Sequence, residues 1–544
     1  MPVNVVDVDV LVVGAGPAGS ALAIELGRVG VRCLVVERRT KRSPQPRAKL
    51  TNIRTMTLMR RWGIAQNVRA AAPLPPTFPS DIAFVTRLTG WELARFPNAF
   101  STTVDRSRPF PEPAQQVPQD VLEDVLRRHA RTLPTITIMP GMQLDAFEQS
   151  EAGVIAHASA TDGEGEVQVH AKYIAGCDGA RSSVRQLMGV EMPGMDLAAN
   201  VSAVLRAPTL WSLHDKARAV HYWTSTPDAP GILGPLDPTE LWWYHLNEAP
   251  NGGILTDDEV RRSFFAAVGA EFQCEVVANS PWLAQRRIAS TYRVGRAFLL
   301  GDAAHLHPPM GGYGMNMGIG DAVDLGWKLG AVINGWAGAG LLSSYEIERR
   351  PIHLRVIEEA ASNFSNNSNR YREPDLESAG PQGDMARQRV GLRIREEKAR
   401  EFASIGVQLG YRYEGSPVVI ADGSDATADE VSSYIPTARP GHLAPHAWVD
   451  GERCVYDLFG PGLTLLRLSG NGDSGHGLIG AAEKDGVPLV VVDLPRPEIR
   501  ELYDADLALV RPDQQIAWRG DSVADGVHLL DRVRGLIAEQ DKPS

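Results

Sequence analysis

Three groups of residues in this chain have the types and spacing to hold a dinucleotide, and a fourth has the types to move a proton. The first is Gly14-Ala-Gly-Pro-Ala-Gly19, including Gly16 and Ala18, with Glu37 lying 21 positions beyond Gly16. Glycines let the backbone come close to a pyrophosphate, and a helix starting there offers free N–H groups and a partial positive charge. Glu37 can accept from both ribose hydroxyls and would repel a 2′-phosphate, so FAD or NAD fits here and NADP does not. The second group is Asp178-Gly179, followed by Arg181. The third is Gly301-Asp302, then Pro308-Pro309, then Gly311, Gly312, Gly314, Met315 and Asn316. The fourth is His221, Tyr222, Tyr244 and His245, all side chains that act as general acids or bases.

These groups need particular elements beneath them. Val8–Val13 is an apolar run typical of a strand buried on both faces, and a helix of small residues follows through Val29. A second strand, Arg32–Val36, ends at Glu37. A glycine fingerprint set between a strand and a helix in this way is specific, where the glycines alone would be weak. Another strand delivers Asp178, and Ser182 or Ser183 can cap the helix behind it. Ala297–Leu300 is a strand ending at Asp302, and from Met315 the residues Ile319, Ala322, Val323, Leu325 and Leu329 follow helical spacing. The prolines and glycines between force an irregular loop. Residues 200–246 alternate and are rich in aromatics (Trp211, Tyr222, Trp223, Trp242, Trp243, Tyr244), which predicts antiparallel strands of a second sheet. The four proton-transfer candidates sit on that sheet, and the sequence leaves the choice among them open.

Composition bounds the answer. A chain of 544 residues predicts two or three domains. The net charge of −11 without a basic cluster argues against a nucleic-acid partner. Four scattered cysteines (Cys33, Cys177, Cys274, Cys454) form no C-x-x-C pair, so no metal site is expected and reduced thiols in a cytoplasmic protein are the simplest reading. No signal-peptide pattern or membrane-length apolar run is expected to direct the chain to a membrane.

Taken together, the three motifs resemble those of the single-component, FAD-dependent aromatic hydroxylases of class A, the para-hydroxybenzoate hydroxylase and phenol hydroxylase family. The resemblance implies that Asp302 binds the flavin ribitol and that Pro309 lies beside the reactive edge of the ring. It implies that the Gly314-Met315-Asn316 turn presents backbone N–H groups to the pyrimidine end, with Gly301 and Gly312 in the same motif. Arg38 follows the ribose-binding Glu37. Arg47, from an Arg-Ala pair, would approach the FAD phosphates, and Gln119 would contact the cofactor. Asp178, Gly179 and Arg181 match a motif linked to both FAD and the nicotinamide donor. Tyr313 departs from the family, where Gln or Lys is common.

The implied fold is α/β: a Rossmann-like FAD-binding domain (residues 1–75, 106–190 and 286–365), an inserted mixed-sheet substrate domain (76–105 and 191–285), a helical connection and linker (366–435), and a thioredoxin-like C-terminal domain (436–544). That last domain lacks a redox cysteine pair, which implies packing or dimerisation, hence a possible homodimer. Residues 363–383 are polar and predict a mobile segment; Met385–Leu409 predicts one amphipathic helix, and Trp448–Leu458 a strand. Only one glycine fingerprint is present, so NAD(P)H would dock transiently. The implied reaction uses O₂ and a flavin C4a-hydroperoxide to hydroxylate a phenolic aromatic substrate. Alternatives are a Baeyer–Villiger or other ring oxidation of a polyketide, and a non-catalytic protein that binds FAD or an aromatic ligand.

Overall fold

The computed structural model describes residues 4–41, 45, 47–366, 368–470 and 472–537. A six-stranded sheet runs in the order Arg293–Val294, Ala297–Leu299, Tyr173–Gly176, Val10–Val13, Cys33–Glu37, Ile136–Pro140. All its pairs are parallel except the edge hairpin. Val10–Val13 is buried at every position, as the unbroken apolar run requires. Helices Pro17–Arg28 and Gly314–Ile333 contribute to the same core, as do Ala156, Val167 and Val169 of a four-stranded sheet begun by Asn4–Asp7. The three glycine- and aspartate-bearing turns all leave the carboxyl ends of neighbouring parallel strands, where open α/β sheets bind their ligands.

The second sheet has eight strands, in the order His305–Leu306, Glu275–Ile288, Gly194–Arg206, Leu241–Leu246, Gly231–Pro235, His221–Thr224, Ile82–Val85, Glu92–Phe96. It is antiparallel except where His221–Thr224 runs parallel to Ile82–Val85. Its two faces are packed differently. Tyr222, Trp242 and Tyr244 join a core with Phe264 of helix Asp257–Val268. Trp223 packs instead with Phe84, Tyr371 and Phe402.

Three sequence expectations need correction. The stretch 363–383 is structured: helix Gly340–Ser365 runs into it, Ser368–Tyr371 forms a short 3-10 turn, and a helix restarts at Pro381. Phe364, Tyr371 and Leu376 are buried anchors among its polar residues; Asn367 lies outside the described residues. The single helix expected over Met385–Leu409 is two, Pro381–Phe402 and Ile405–Leu409, broken where Ala403 leaves helical geometry. Trp448–Leu458 pairs only through a Trp448–Cys454 bridge before a 3-10 turn, Val455–Leu458.

The C-terminal sheet runs Leu489–Asp493, Leu463–Arg467, Leu507–Val510, Ile516–Gly520. Its first two strands are parallel across helix His476–Lys484, the rest antiparallel, which is a thioredoxin-like order. It is bolted to the rest of the chain by Arg511, whose guanidinium reaches Asp324 (3.1 Å) and Glu348 (2.6 Å) with none of the three exposed. Lys328, equally buried, bridges the same two carboxylates. Among the described residues no helix is long and apolar enough to cross a membrane.

Candidate active site

The turn after Val10–Val13 is shaped by two glycines with packing duties and one without. Gly14 has φ +102°, and a Cβ there would sit 2.5 Å from the Cys177 carbonyl oxygen. A Cβ on Gly19 would come within 1.9 Å of the Gly14 oxygen. Gly19 therefore lets helix and strand close together, and unlike Gly14, Gly16 and Ala18 it does not line the cavity described below. A Cβ on Gly16 would meet nothing within 4 Å. Gly16 is the N-cap of helix Pro17–Arg28 and gives it no side-chain cap, so the N–H groups there are open to a ligand.

Glu37 stands over this turn. Its carboxylate accepts from the backbone N–H of Ala15 (2.8 Å) and of Arg39 (2.9 Å). Arg38 beside it is exposed at the cavity edge. Arg127, which the sequence reading missed, also lines the cavity and donates to the Ala15 carbonyl (2.8 Å). Its signal was its place two turns beyond Gln119 on helix Gln119–Ala130, which brings it to the same cavity. Gln119 itself donates to Glu123 (2.8 Å), and its backbone N–H binds the Ala48 carbonyl (2.9 Å), tying the helix to the segment that carries Arg47.

Asp178 spends both oxygens on its own turn. One accepts from Ser182 Oγ (2.5 Å), the other from the N–H groups of Ser183 (2.7 Å) and Val184 (3.2 Å). Burial raises its pKa, partly offset by these bonds. Ser182, not Ser183, caps helix Ser183–Leu187. Gly179 and Arg181 line the cavity beside it.

Gly301-Asp302 forms a 3-10 turn whose Gly301 N–H is held by Asp321 (3.1 Å). Wholly buried Asp321 also accepts from His305 (2.9 Å), Arg349 (2.8 Å) and His353 (2.9 Å). Burial alone would raise its pKa; His353, Arg349 and His305 outweigh that and hold it well below the carboxylate range. Ligand atoms of His305, Asp321 and His353 lie within 4.8 Å of one another, as a metal site would need. Each Asp321 oxygen already accepts two hydrogen bonds, however, and the Arg349 guanidinium fills the place of a cation. The cluster instead fixes Gly301, and so the Asp302 side chain that faces the cavity.

Helix Gly314–Ile333 starts one residue earlier than the spacing predicted. Its first closing bond runs from Met317 N–H to the Tyr313 carbonyl (2.8 Å), which leaves the N–H groups of the first turn pointing outward. Gly314 and Met315 line the cavity, as do Gly312 and exposed Pro309; the side chain of Asn316 does not. Asn316 instead accepts from Asn52 N–H and donates to the carbonyls of Leu50 and Gly312. Tyr313, where the chain departs from the family pattern, packs with Met317, Ile352 and Val356.

All these turns open into one cavity of about 1090 Å³ that continues to the eight-stranded sheet. There its walls are Phe100, Trp223, Trp243, Trp282 and Phe402. Strand alternation divides the proton-transfer candidates. His221 and His245 face the cavity; Tyr222 and Tyr244 do not. The Tyr222 hydroxyl is bound to backbone at Ala217 and Ala219, and that of Tyr244 to Ser263 (2.8 Å), so both are withdrawn as candidates. Four polar atoms at this wall, His221 Nε2, Trp223 Nε1, His245 Nε2 and Trp282 Nε1, are buried with no protein partner among the described residues. Buried polar groups normally have one, so they are available to a ligand. Burial, then Lys49 and His245, holds the His221 pKa well below the usual range, and burial takes His245 to about 3.

Lys49 was also missed. Its ammonium lies 4.0 Å over the Trp243 ring, and burial pushes its pKa down to about 7. The signal was its position two residues beyond Arg47, with which it lines the same cavity.

An open glycine turn, a paired acceptor at the ribose position, a helix N-terminus and a connected cavity of this volume fit a flavin dinucleotide. A family profile described as FAD binding domain matches residues 7–360, and one described as aromatic-ring hydroxylase, C-terminal, matches 437–537. The chain is 34% identical over 562 residues to aklavinone 12-hydroxylase RdmE of Streptomyces purpurascens, covering 98% of this chain and 99% of that one. It is 29% identical over 573 residues to a 4-methyl-5-nitrocatechol 5-monooxygenase of a Burkholderia species, covering 98% of each. RebC with bound 7-carboxy-K252c superposes with a TM-score of 0.91 at 36% identity, over 98% of this chain and all (100%) of that one. Aklavinone-11 hydroxylase with FAD and aklavinone gives 0.83 at 32%, over 97% and 99%. The chain therefore belongs to the FAD-dependent aromatic-ring hydroxylases, monooxygenases in which FAD is the cofactor and NAD(P)H the electron donor.

Proposed function

We propose that this protein hydroxylates a phenol carried on a fused, multi-ring aromatic skeleton, with O₂ as the oxygen source. The observation that supports the reading is the single cavity running from the cofactor turns to a wall of three indoles, Trp223, Trp243 and Trp282. A flat polycyclic ligand would bury its faces against those rings, and its oxygens would accept from the unpartnered indole N–H groups. The relatives named for aklavinone, and RebC with its bound 7-carboxy-K252c, point to ligands of the same size class.

The remaining roles divide along the cavity. The open turn at Gly16, with Glu37, Arg38, Arg47, Gln119 and Arg127 around it, would hold the phosphate and ribose half of FAD. Asp302 would accept from ribitol hydroxyls, and Gly179 and Arg181 would border the same end. The first-turn N–H groups of helix Gly314–Ile333 would favour negative charge at the pyrimidine end of the ring. Pro308 and Pro309 would keep that edge dry. Bound FAD, once reduced, supplies the chemistry that activates O₂.

The test is NADH and NADPH oxidation by the holoenzyme with 2-hydroxyanthraquinone, 2-naphthol and phenol, using isotopic O₂. Fused-ring phenols should stimulate oxidation more than phenol, and the product should carry one labelled oxygen as a ring hydroxyl. Equal stimulation by phenol itself, or oxygen inserted between ring carbons, would refute it.

A further inference from the structure

Lys49 stands at the seam between the cofactor turns and the aromatic wall. Its carbonyl accepts from Val117 N–H (2.7 Å). The next residue, Leu50, pairs with Gln116, and its carbonyl is held by Asn316 at the start of helix Gly314–Ile333 (3.0 Å). A Cβ on Gly312 would come 3.2 Å from the Leu50 side chain. The backbone of Lys49 is thus one residue from the turn assigned to the flavin ring, and its side chain reaches over Trp243 on the opposite wall.

Its electrostatic surroundings are unusual for an amine. Among the described residues no carboxylate forms an ion pair with it, and burial is the sole cause of its lowered pKa. The ionisable groups around this part of the cavity are His221 and His245 from the sheet, His307 from the loop, Arg47 from its own segment and Glu401 from helix Pro381–Phe402. Glu401 is committed to Lys398 (2.6 Å). A lysine stem packed on an indole needs no further task. Lys49 is half-buried, and an amine drawn away from water with no counter-charge is costly; a ligand that becomes anionic would close it off and supply the missing charge.

Resting on the reading that a phenol occupies this cavity, we propose that Lys49 is the catalytic base: its amine takes the proton of the substrate hydroxyl, and the ammonium so formed pairs with the phenolate. The O–H bond breaks and leaves its electron pair on oxygen; an N–H bond forms on Nζ; the proton returns to water after product leaves. A phenolate feeds electron density into its ring, which is what attack on an electrophilic oxygen requires. The competing acceptors are weaker. A phenol near pKa 10 is about seven pH units above His245 but only about three above Lys49. The remaining gap is offset by the ion pair that Lys49 then makes in a low-dielectric cavity.

The experiment uses FAD-loaded protein without NAD(P)H, titrated with 2-hydroxyanthraquinone, whose phenol and phenolate absorb differently. Binding is read from the flavin spectrum, ionisation from the phenolate band. In wild type the bound probe should ionise at least one pH unit below the free probe. Lys49→Met and Lys49→Gln should still bind it, with the phenolate fraction at pH 7 at least tenfold lower. His221→Gln and His245→Gln should keep the band. Retention of FAD and of the near-ultraviolet circular dichroism serves as the folding control. An unchanged phenolate fraction in both Lys49 variants would overturn the assignment, as would loss of the band in either histidine variant with Lys49 intact. If the probe fails to perturb the wild-type flavin, the fused-ring reading of the cavity falls first, a result distinct from binding without ionisation.

Discussion

The side-chain oxygen of Asn316 accepts a hydrogen bond from the backbone N–H of Asn52 at 3.0 Å, across 264 positions of sequence. The same side chain donates to the Leu50 carbonyl (3.0 Å) and the Gly312 carbonyl (2.7 Å). One amide thus closes the short strand Leu50–Thr51 onto the turn that opens helix Gly314–Ile333.

Asn316→Asp keeps the acceptor and turns the donor into a second oxygen facing two carbonyls. Leaving such groups unsatisfied costs roughly 1–3 kcal/mol. The variant should melt at a lower temperature and purify with less FAD per chain. An unchanged melting temperature and full FAD content would show that the clamp is dispensable.

Asp302→Ala should weaken FAD retention while leaving the fold in place, because Gly301 is held by Asp321 and not by Asp302. A lost charge-assisted bond of roughly 1.5–3 kcal/mol corresponds to about 10- to 150-fold in Kd. Dialysis against free flavin measures it; wild-type affinity in the variant would remove Asp302 from the cofactor's contacts.

Acid should destabilise the protein well before its carboxylates titrate. Burial holds His245 and His353 at about 3, and His214, His307, His442 and His446 at about 4. The unfolded chain binds these protons near pH 6.5. Unfolding therefore takes up protons, so the contribution is complete above about pH 6.5 and is lost as the pH falls toward 4 to 3. For buried His245, which has no carboxylate partner among the described residues, the slope approaches about 1.4 kcal/mol per pH unit in that window. Melting temperatures at pH 7.5, 6.5, 5.5 and 4.5 should fall below 6.5, and less steeply in His245→Gln. A flat profile would contradict the neutral, buried imidazoles.

The thiols should be unreactive in the native state. All four cysteines are free. Burial pushes Cys454 to about 12 and Cys274 to about 11, and raises Cys33 and Cys177 as well. A disulfide reagent at pH 8 should label native protein slowly and all four thiols after denaturation. Cys454→Ser should turn over equally under oxidising and reducing conditions; activity lost in one condition alone would argue for a regulatory thiol.

What the sequence made legible was local. Each glycine or aspartate turn is built from a strand, a few loop residues and a helix that are contiguous, so type and spacing alone put it at a strand end. The choice between His221 and Tyr222 depended on which sheet face meets the cavity, a matter of packing against Phe264 on one side and Phe402 on the other. Lys49 was hidden because its partner, Trp243, is distant in the chain. The clamp made by the Asn316 side chain was hidden because its tie to Asn52 is equally non-local. Residues 363–383 misled through average polarity, which three buried side chains override.

Arg511 has a consequence for how this chain can be cut or recombined. It closes a hole lined by Asp324, Lys328 and Glu348, all of them on helices far earlier in the sequence. Removing the last hundred or so residues would take Arg511 away from Glu348 and Asp324 and open the cluster on that side, and breaking a buried pair by removing one partner is strongly destabilising. The C-terminal piece looks modular in sequence, yet its Arg511 is tied into two helices of the preceding part. A chimera joined near residue 436 should therefore keep this interior closed only when its second parent supplies a cation where Arg511 stands.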